Sequence, residues 1–113
     1  MKSPAFGSYL RAIREEKNIP QRIVAHRLDI DTSTLSKIEL GERQITISMI
    51  EGLSEVLNID YRNLQIKYIC EKIMDEFNNQ PYLKDALLET IKKISIKWLN
   101  KVKSLRILYP LNQ

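Results

Sequence analysis

The 113-residue chain has a single cysteine, Cys70, and a single histidine, His26. One thiol excludes an internal disulfide, and one imidazole leaves no His/Cys cluster with metal-ligand spacing. Only three glycines occur, and none forms the clustered loop that cradles a phosphate. Paired carboxylates or a nucleophile beside a base are equally lacking. Neither enzyme chemistry nor a cofactor or metal is therefore expected. No apolar run approaches the roughly 18 residues of a membrane span. The opening MKSPAFGSYLRAIREEKN is charged throughout without an apolar signal core, so the expected location is the cytoplasm.

What is present is a chain 43% hydrophobic and 28% charged, with a net charge of +4. Residues 1–60 hold eight Lys or Arg against nine Asp or Glu, and residues 61–113 hold ten against five. The positive excess thus sits in the C-terminal part, densest at Lys92, Lys93, Lys97, Lys101, Lys103 and Arg106. These cations read first as a solvated helix face, with nucleic-acid contact as the sharper alternative.

Apolar residues recur at three- and four-residue steps, and no stretch alternates with period two, so the fold class is all-α. A first helix is predicted over Ala5 to Lys17, with Phe6, Leu10 and Ile13 on one face. Pro20 marks the start of a second, Gln21 to Leu28, burying Val24, Ala25 and Leu28. After Asp29-Ile30, Asp31 is placed to cap a third helix, Thr32 to Leu40, which Gly41 ends. Thr46 is expected to cap a fourth, with Ile47, Ile50, Leu53 and Leu57 inward. Asp60 is expected to cap a fifth, from Tyr61 to about Phe77, with Ile66, Cys70, Ile73 and Phe77 along one face and Cys70 in the core. Asn78-Asn79-Gln80-Pro81 breaks the chain. From Tyr82 to about Leu108 a last helix carries Leu87, Ile91, Ile94, Trp98, Leu105 and Leu108 in a heptad-like seam interrupted by Lys101 and widened by Leu88, Val102 and Tyr109.

Two short helices joined by three or four residues, each with one apolar face, must pack those faces together and against a third helix. The outer face of the second is left free. On it lie Thr32, Ser33, Thr34, Ser36 and Lys37, small polar side chains with one cation. Such a face can enter a major groove about 12 Å wide and bond to base edges and phosphates.

The run Gln21, Val24-Ala25, Leu28, Ile30, Ser33-Thr34-Leu35-Ser36-Lys37-Ile38-Glu39 and Gly41 resembles the XRE family of helix-turn-helix regulators, which includes the lambda-type phage repressors. The resemblance spans about residues 6–64. It implies a five-helix, lambda-repressor-like domain that binds operators in double-stranded DNA as a dimer, with Thr32 to Leu40 as recognition helix. On the matching positions it implies that Gln21 touches phosphate and the recognition helix. Ser33, Thr34, Ser36 and Lys37 match positions that meet bases or backbone, and Arg14 with Glu39 matches a structural pair. Thr32 on the same face, and Arg43 and Gln44 in the loop beyond Gly41, complete the expected DNA-facing set. Departures are Pro20 in place of a Ser or Thr cap, Asp29 where glycine is common, and Leu40 in place of a cation.

The expected organisation is a DNA-binding domain over residues 1–64 and a helical extension over 65–113. A final helix of about 27 residues would extend near 40 Å, too long to be buried against so small a domain. Its stripe calls for a partner, the simplest being a second copy. The expected homodimer contacts are Ile73, Phe77, Leu87, Ile91, Ile94, Trp98, Val102 and Leu105. The function expected is a regulator that occupies an operator, a restriction-modification controller or a phage-type repressor. The alternative is an antitoxin or interaction module whose C-terminal helix binds a partner protein.

Overall fold

The computed structural model describes residues 5–108. Within them all regular structure is helical: α1 (Ala5–Glu16), α2 (Gln21–Leu28), α3 (Thr32–Glu39), α4 (Ile50–Leu57), α5 (Tyr61–Phe77) and α6 (Leu83–Leu108), with a 3₁₀ turn over Ile47–Met49. The chain forms two compact units, Met1–Glu76 and Phe77–Gln113. The junction lies beside the Asn78–Pro81 break, and residues 64 and 65 both lie within α5.

The first four α-helices end in the same way, and this brings them together at short range. Each is followed by a left-handed residue: Asn18 (φ 57°), Asp29 (56°), Gly41 (80°) and Asn58 (52°). Asparagine and aspartate tolerate that conformation better than other side chains, so Asp29 turns the chain where glycine is common. In each case the next N–H reaches back five residues, from Ile19 to Arg14 O (2.9 Å), Ile30 to Ala25 O (3.0 Å), Glu42 to Lys37 O (2.9 Å) and Ile59 to Ser54 O (3.0 Å). This is the Schellman pattern, whose apolar residue after the turn usually packs back on the helix. Ile19, Ile30 and Ile59 all do so, partly buried against the core.

The core of the first unit comprises Leu10 of α1, Val24 and Ala25 of α2, Leu35 and Ile38 of α3, Ile45 of the loop that follows, Ile50, Leu53 and Leu57 of α4, and Leu64 of α5. Leu28 is only half-buried at its edge. Two polar ties fasten the periphery. Lys17 Nζ donates to the carbonyls of Leu57 (2.6 Å) and Asn58 (2.9 Å), which end α4, and Tyr68 Oη donates to Ile45 O (2.9 Å). The Tyr68 ring meets Phe6 edge-on at 5.4 Å.

Two expectations are corrected. Thr46 precedes the 3₁₀ turn, its hydroxyl paired with that of Ser48 at 2.9 Å, and α4 starts only at Ile50. Ile47 therefore points outward and is 50% exposed. In α5, Leu64 and Tyr68 face the core, so Cys70, expected inside, is exposed. Ile66, Ile69, Met74 and Phe77 are exposed as well, and Ile73 is half-buried.

The second unit is essentially α6, 26 residues long and so about 39 Å at 1.5 Å per residue. Leu87, Ile91, Ile94 and Trp98 are exposed along it. The side chains of Val102, Leu105 and Leu108, and all of Tyr109, lie outside the described residues. No helix among the described residues is long and apolar enough to cross a membrane.

Candidate nucleic-acid interface

Helix α3 is set by local chemistry at both ends. Asp31 takes an extended backbone (φ −84°, ψ 164°), and its Oδ1 accepts the N–H of Thr34 at 2.7 Å. Ser33 Oγ donates to the same oxygen at 3.0 Å. These bonds, those of Thr34 foremost, with the charge of Lys37 adding, pull the Asp31 carboxyl down to about 2. At the far end Gly41 closes the Schellman turn.

The lowered Asp31 value has a testable sign. The folded chain holds this carboxylate ionised more strongly than the unfolded chain, whose aspartate titrates near 4. The stabilisation is complete above about pH 4 and lost as pH falls through about 2. Urea midpoints of the wild type and Asp31→Asn are expected to differ at pH 5 and to converge toward pH 2. A gap that stays constant over that range would remove Asp31 from the acid response.

The buried side of α3 is held by a polar network centred on Glu39, which is only 4% exposed. Arg14 of α1 grips it with two of its three guanidinium nitrogens, Nε to Oε2 at 2.7 Å and Nη2 to Oε1 at 3.0 Å. Contact with Glu39 raises the Arg14 pKa against the opposing effect of burial. The remaining nitrogen, Nη1, donates to Ile19 O at 3.0 Å, just past the end of α1. Gln21, the first residue of α2, donates from Nε2 to Glu39 Oε1 at 3.0 Å and accepts Ser36 Oγ on its own Oε1 at 3.3 Å. One carboxylate thereby joins α1, α2 and α3, and among the described residues no buried side-chain polar atom lacks a partner.

With that side fixed, the opposite side of α3 is free. Thr32, Ser33 and Lys37 are exposed, and Thr34 and Ser36 are half-buried. Ser36 and Gln21, both expected at DNA, meet each other between α2 and α3. Arg43 and Gln44 are exposed in the loop after α3, where Gln44 Oε1 accepts Lys72 Nζ at 2.9 Å and so ties the loop to α5. Two further residues shape the surface. Arg22, next to Gln21 in the first turn of α2, adds an exposed cation. Gly7 of α1 is buried where α1 crosses the end of α3, and a Cβ there would lie 2.1 Å from Ile38 O. Its signal in the sequence is a lone glycine inside a helical pattern, a place that favours alanine unless a backbone must come close.

A polar, weakly cationic helix face, exposed in the second of two helices locked by a Schellman turn and a buried network, defines a helix-turn-helix DNA-binding domain. The chain belongs to the helix-turn-helix family HTH_3, which matches residues 10–64, and is a DNA-binding transcriptional regulator. Among solved structures it is similar to the restriction-modification controller protein C.AhdI from Aeromonas hydrophila, with 32% sequence identity and a TM-score of 0.48. That match covers 53% of this chain and 87% of the other. No curated protein matches the chain significantly.

Proposed function

We propose that the protein is a cytoplasmic homodimer that occupies an operator in double-stranded DNA and regulates transcription by doing so. The observation that carries this reading is the division of α3 into a side anchored through Ser36 and Glu39 and a side left open at Thr32, Ser33 and Lys37. Base reading is assigned to Thr32 and Ser33, with Thr34 at their margin, and phosphate contact to Lys37, Arg43 and Gln44. Gln21 and Ser36 act mainly by holding α3 in register.

The dimer is assigned to the outward apolar faces of α5 and α6, at Ile73, Phe77, Leu87, Ile91, Ile94 and Trp98, continued by Val102 and Leu105. In support, the first four helices share a closed core, whereas these faces are largely exposed in the single chain. Two-fold pairing would direct two α3 helices at successive major grooves, about 34 Å apart. The setting proposed, following the XRE-type motif, is a restriction-modification or phage-type operon.

Selection of bound duplexes from random DNA tests this reading. Enriched sequences should contain two half-sites related by two-fold symmetry, their centres about 10 bp or a multiple apart. Lys37→Ala is then expected to weaken binding about equally on all sequences and to lower the salt slope by about one. Exchanges at Thr32 or Ser33 should change the enriched bases. Failure to enrich any sequence would refute operator recognition.

A further inference from the structure

The two compact units differ in charge. Met1–Glu76, which carries the recognition helix, holds eleven Lys or Arg against twelve Asp or Glu, whereas Phe77–Gln113 holds seven against two. No acid follows Glu89. At about 100° per residue, α6 sets Leu87, Ile91, Ile94 and Trp98 along one arc. Lys92, Lys93, Lys97 and Lys103 fall on the opposite side, with Ile96, Asn100 and, at its start, Glu89 among them. All four lysines are exposed.

Several cations of the first unit are paired with acids, Arg27 of α2 with Glu55 of α4 among them, while Arg22 and Lys37 stand exposed. Arg11 pairs with Glu15 on α1 and Lys67 with Glu71 on α5, each four residues apart. Among the described side chains of α6 only Lys92 comes near an acid, 3.9 Å from Glu89, and Lys93, Lys97 and Lys103 make no ion pair. Lys93 and Lys97 are instead a like-charged pair at four-residue spacing, an arrangement that destabilises a helix. A face serving only to keep the helix solvated gains nothing from that arrangement. A polyanion relieves it.

We propose that the lysine arc of α6 binds the phosphate backbone of duplex DNA and supplies sequence-independent affinity that the recognition unit, with its slight excess of acids, lacks. This rests on the reading that α3 recognises an operator. Duplex DNA is favoured as the polyanion because α6 is covalently tethered to a DNA-binding domain. On the operator its lysines therefore meet phosphate at high effective concentration. The apolar arc, lying opposite, stays available to a second copy of the chain.

The test compares the full chain with a variant carrying Lys92→Gln, Lys93→Gln, Lys97→Gln and Lys103→Gln, on the selected operator and on random duplex, over a series of salt concentrations. Affinity should fall by a similar factor on both duplexes, leaving their ratio unchanged. The slope of log affinity against log salt should become shallower by about 0.9 for each phosphate that is no longer neutralised, roughly two to four in all. Replacing the same four residues by arginine should keep the wild-type slope, which separates loss of charge from loss of fold. If the glutamine variant retains the wild-type slope while the wild type still selects its operator, the lysine arc plays no part and the α3 reading stands. If the wild type selects no operator, the α3 reading fails, and an unaltered slope on random duplex then overturns the lysine arc as well. Binding to vesicles of phosphatidylglycerol and phosphatidylcholine that is lost in the glutamine variant, with DNA slopes unchanged, would overturn the proposal in favour of a lipid surface.

Discussion

Replacing Arg14 by alanine should lower folding stability by about 3–5 kcal/mol, the range for removing one partner of a buried ion pair. The magnitude follows from what remains. Glu39 is 4% exposed in its side chain and Arg14 12%, so solvent screens the pair little. Without the guanidinium, Glu39 keeps only the Gln21 amide at 3.0 Å, which cannot offset a buried charge. Arg14→Lys should recover part of the loss, since an ammonium restores the charge without the two-armed grip. Exchanging both partners for apolar residues should be much less harmful than either single change. Urea unfolding of the wild type, both single apolar variants, Arg14→Lys and the double variant measures all of this, and a loss below about 1 kcal/mol for Arg14→Ala would show that the pair behaves as a surface pair does.

Gly7→Ala should destabilise the protein by about 2–3 kcal/mol, opposite in sign to the usual effect of that exchange within a helix. Alanine ordinarily gains up to about 1 kcal/mol over glycine at an interior helical position. Here the added Cβ would stand 2.1 Å from Ile38 O and 3.1 Å from Glu39 O. Both are backbone atoms at the end of α3, so no side-chain rotation relieves the clash and the two helices must move apart. Overpacking of this kind typically costs about 1–3 kcal/mol and occasionally more. A fall in melting temperature of roughly 10 °C or more is expected, at about 4–8 °C per kcal/mol for a domain of this size. A rise would show that α1 does not approach α3 so closely.

Features governed by neighbours in the chain are legible in the sequence alone. Asp31 and Asp60 cap α3 and α5 as expected, accepting the N–H of Thr34 and of Asn63. Asp29 and Gly41 turn the chain in the left-handed conformation at the helix ends. The Arg14–Glu39 pair and the contact of Gln21 with α3 are legible through the family resemblance, and the bonding of Gln21 to both Glu39 and Ser36 is not. That link depends on the distance between two helices, which no spacing in sequence encodes. Helix α5 shows a different limit. It carries apolar side chains on two sides, Leu64 with Tyr68 and Ile66 with Cys70, and periodicity alone does not say which side meets the protein's own core. The reading that places Cys70 inside fails for that reason. Ile47 is misplaced because the tighter 3₁₀ turn rotates it away from the register that α4 would have given it.

The network around Glu39 also bears on how such a protein can change its target over time. In α3 the structural duties fall to Leu35, Ile38 and Glu39, with Ser36 as a lesser tie, while Thr32, Ser33 and Lys37 have their side chains in solvent. Substitutions at these open positions lie away from the core and carry little stability cost. Operator preference can therefore drift by single steps on an unaltered scaffold, and divergence among descendants should gather at those few positions while Arg14, Gln21 and Glu39 stay fixed together.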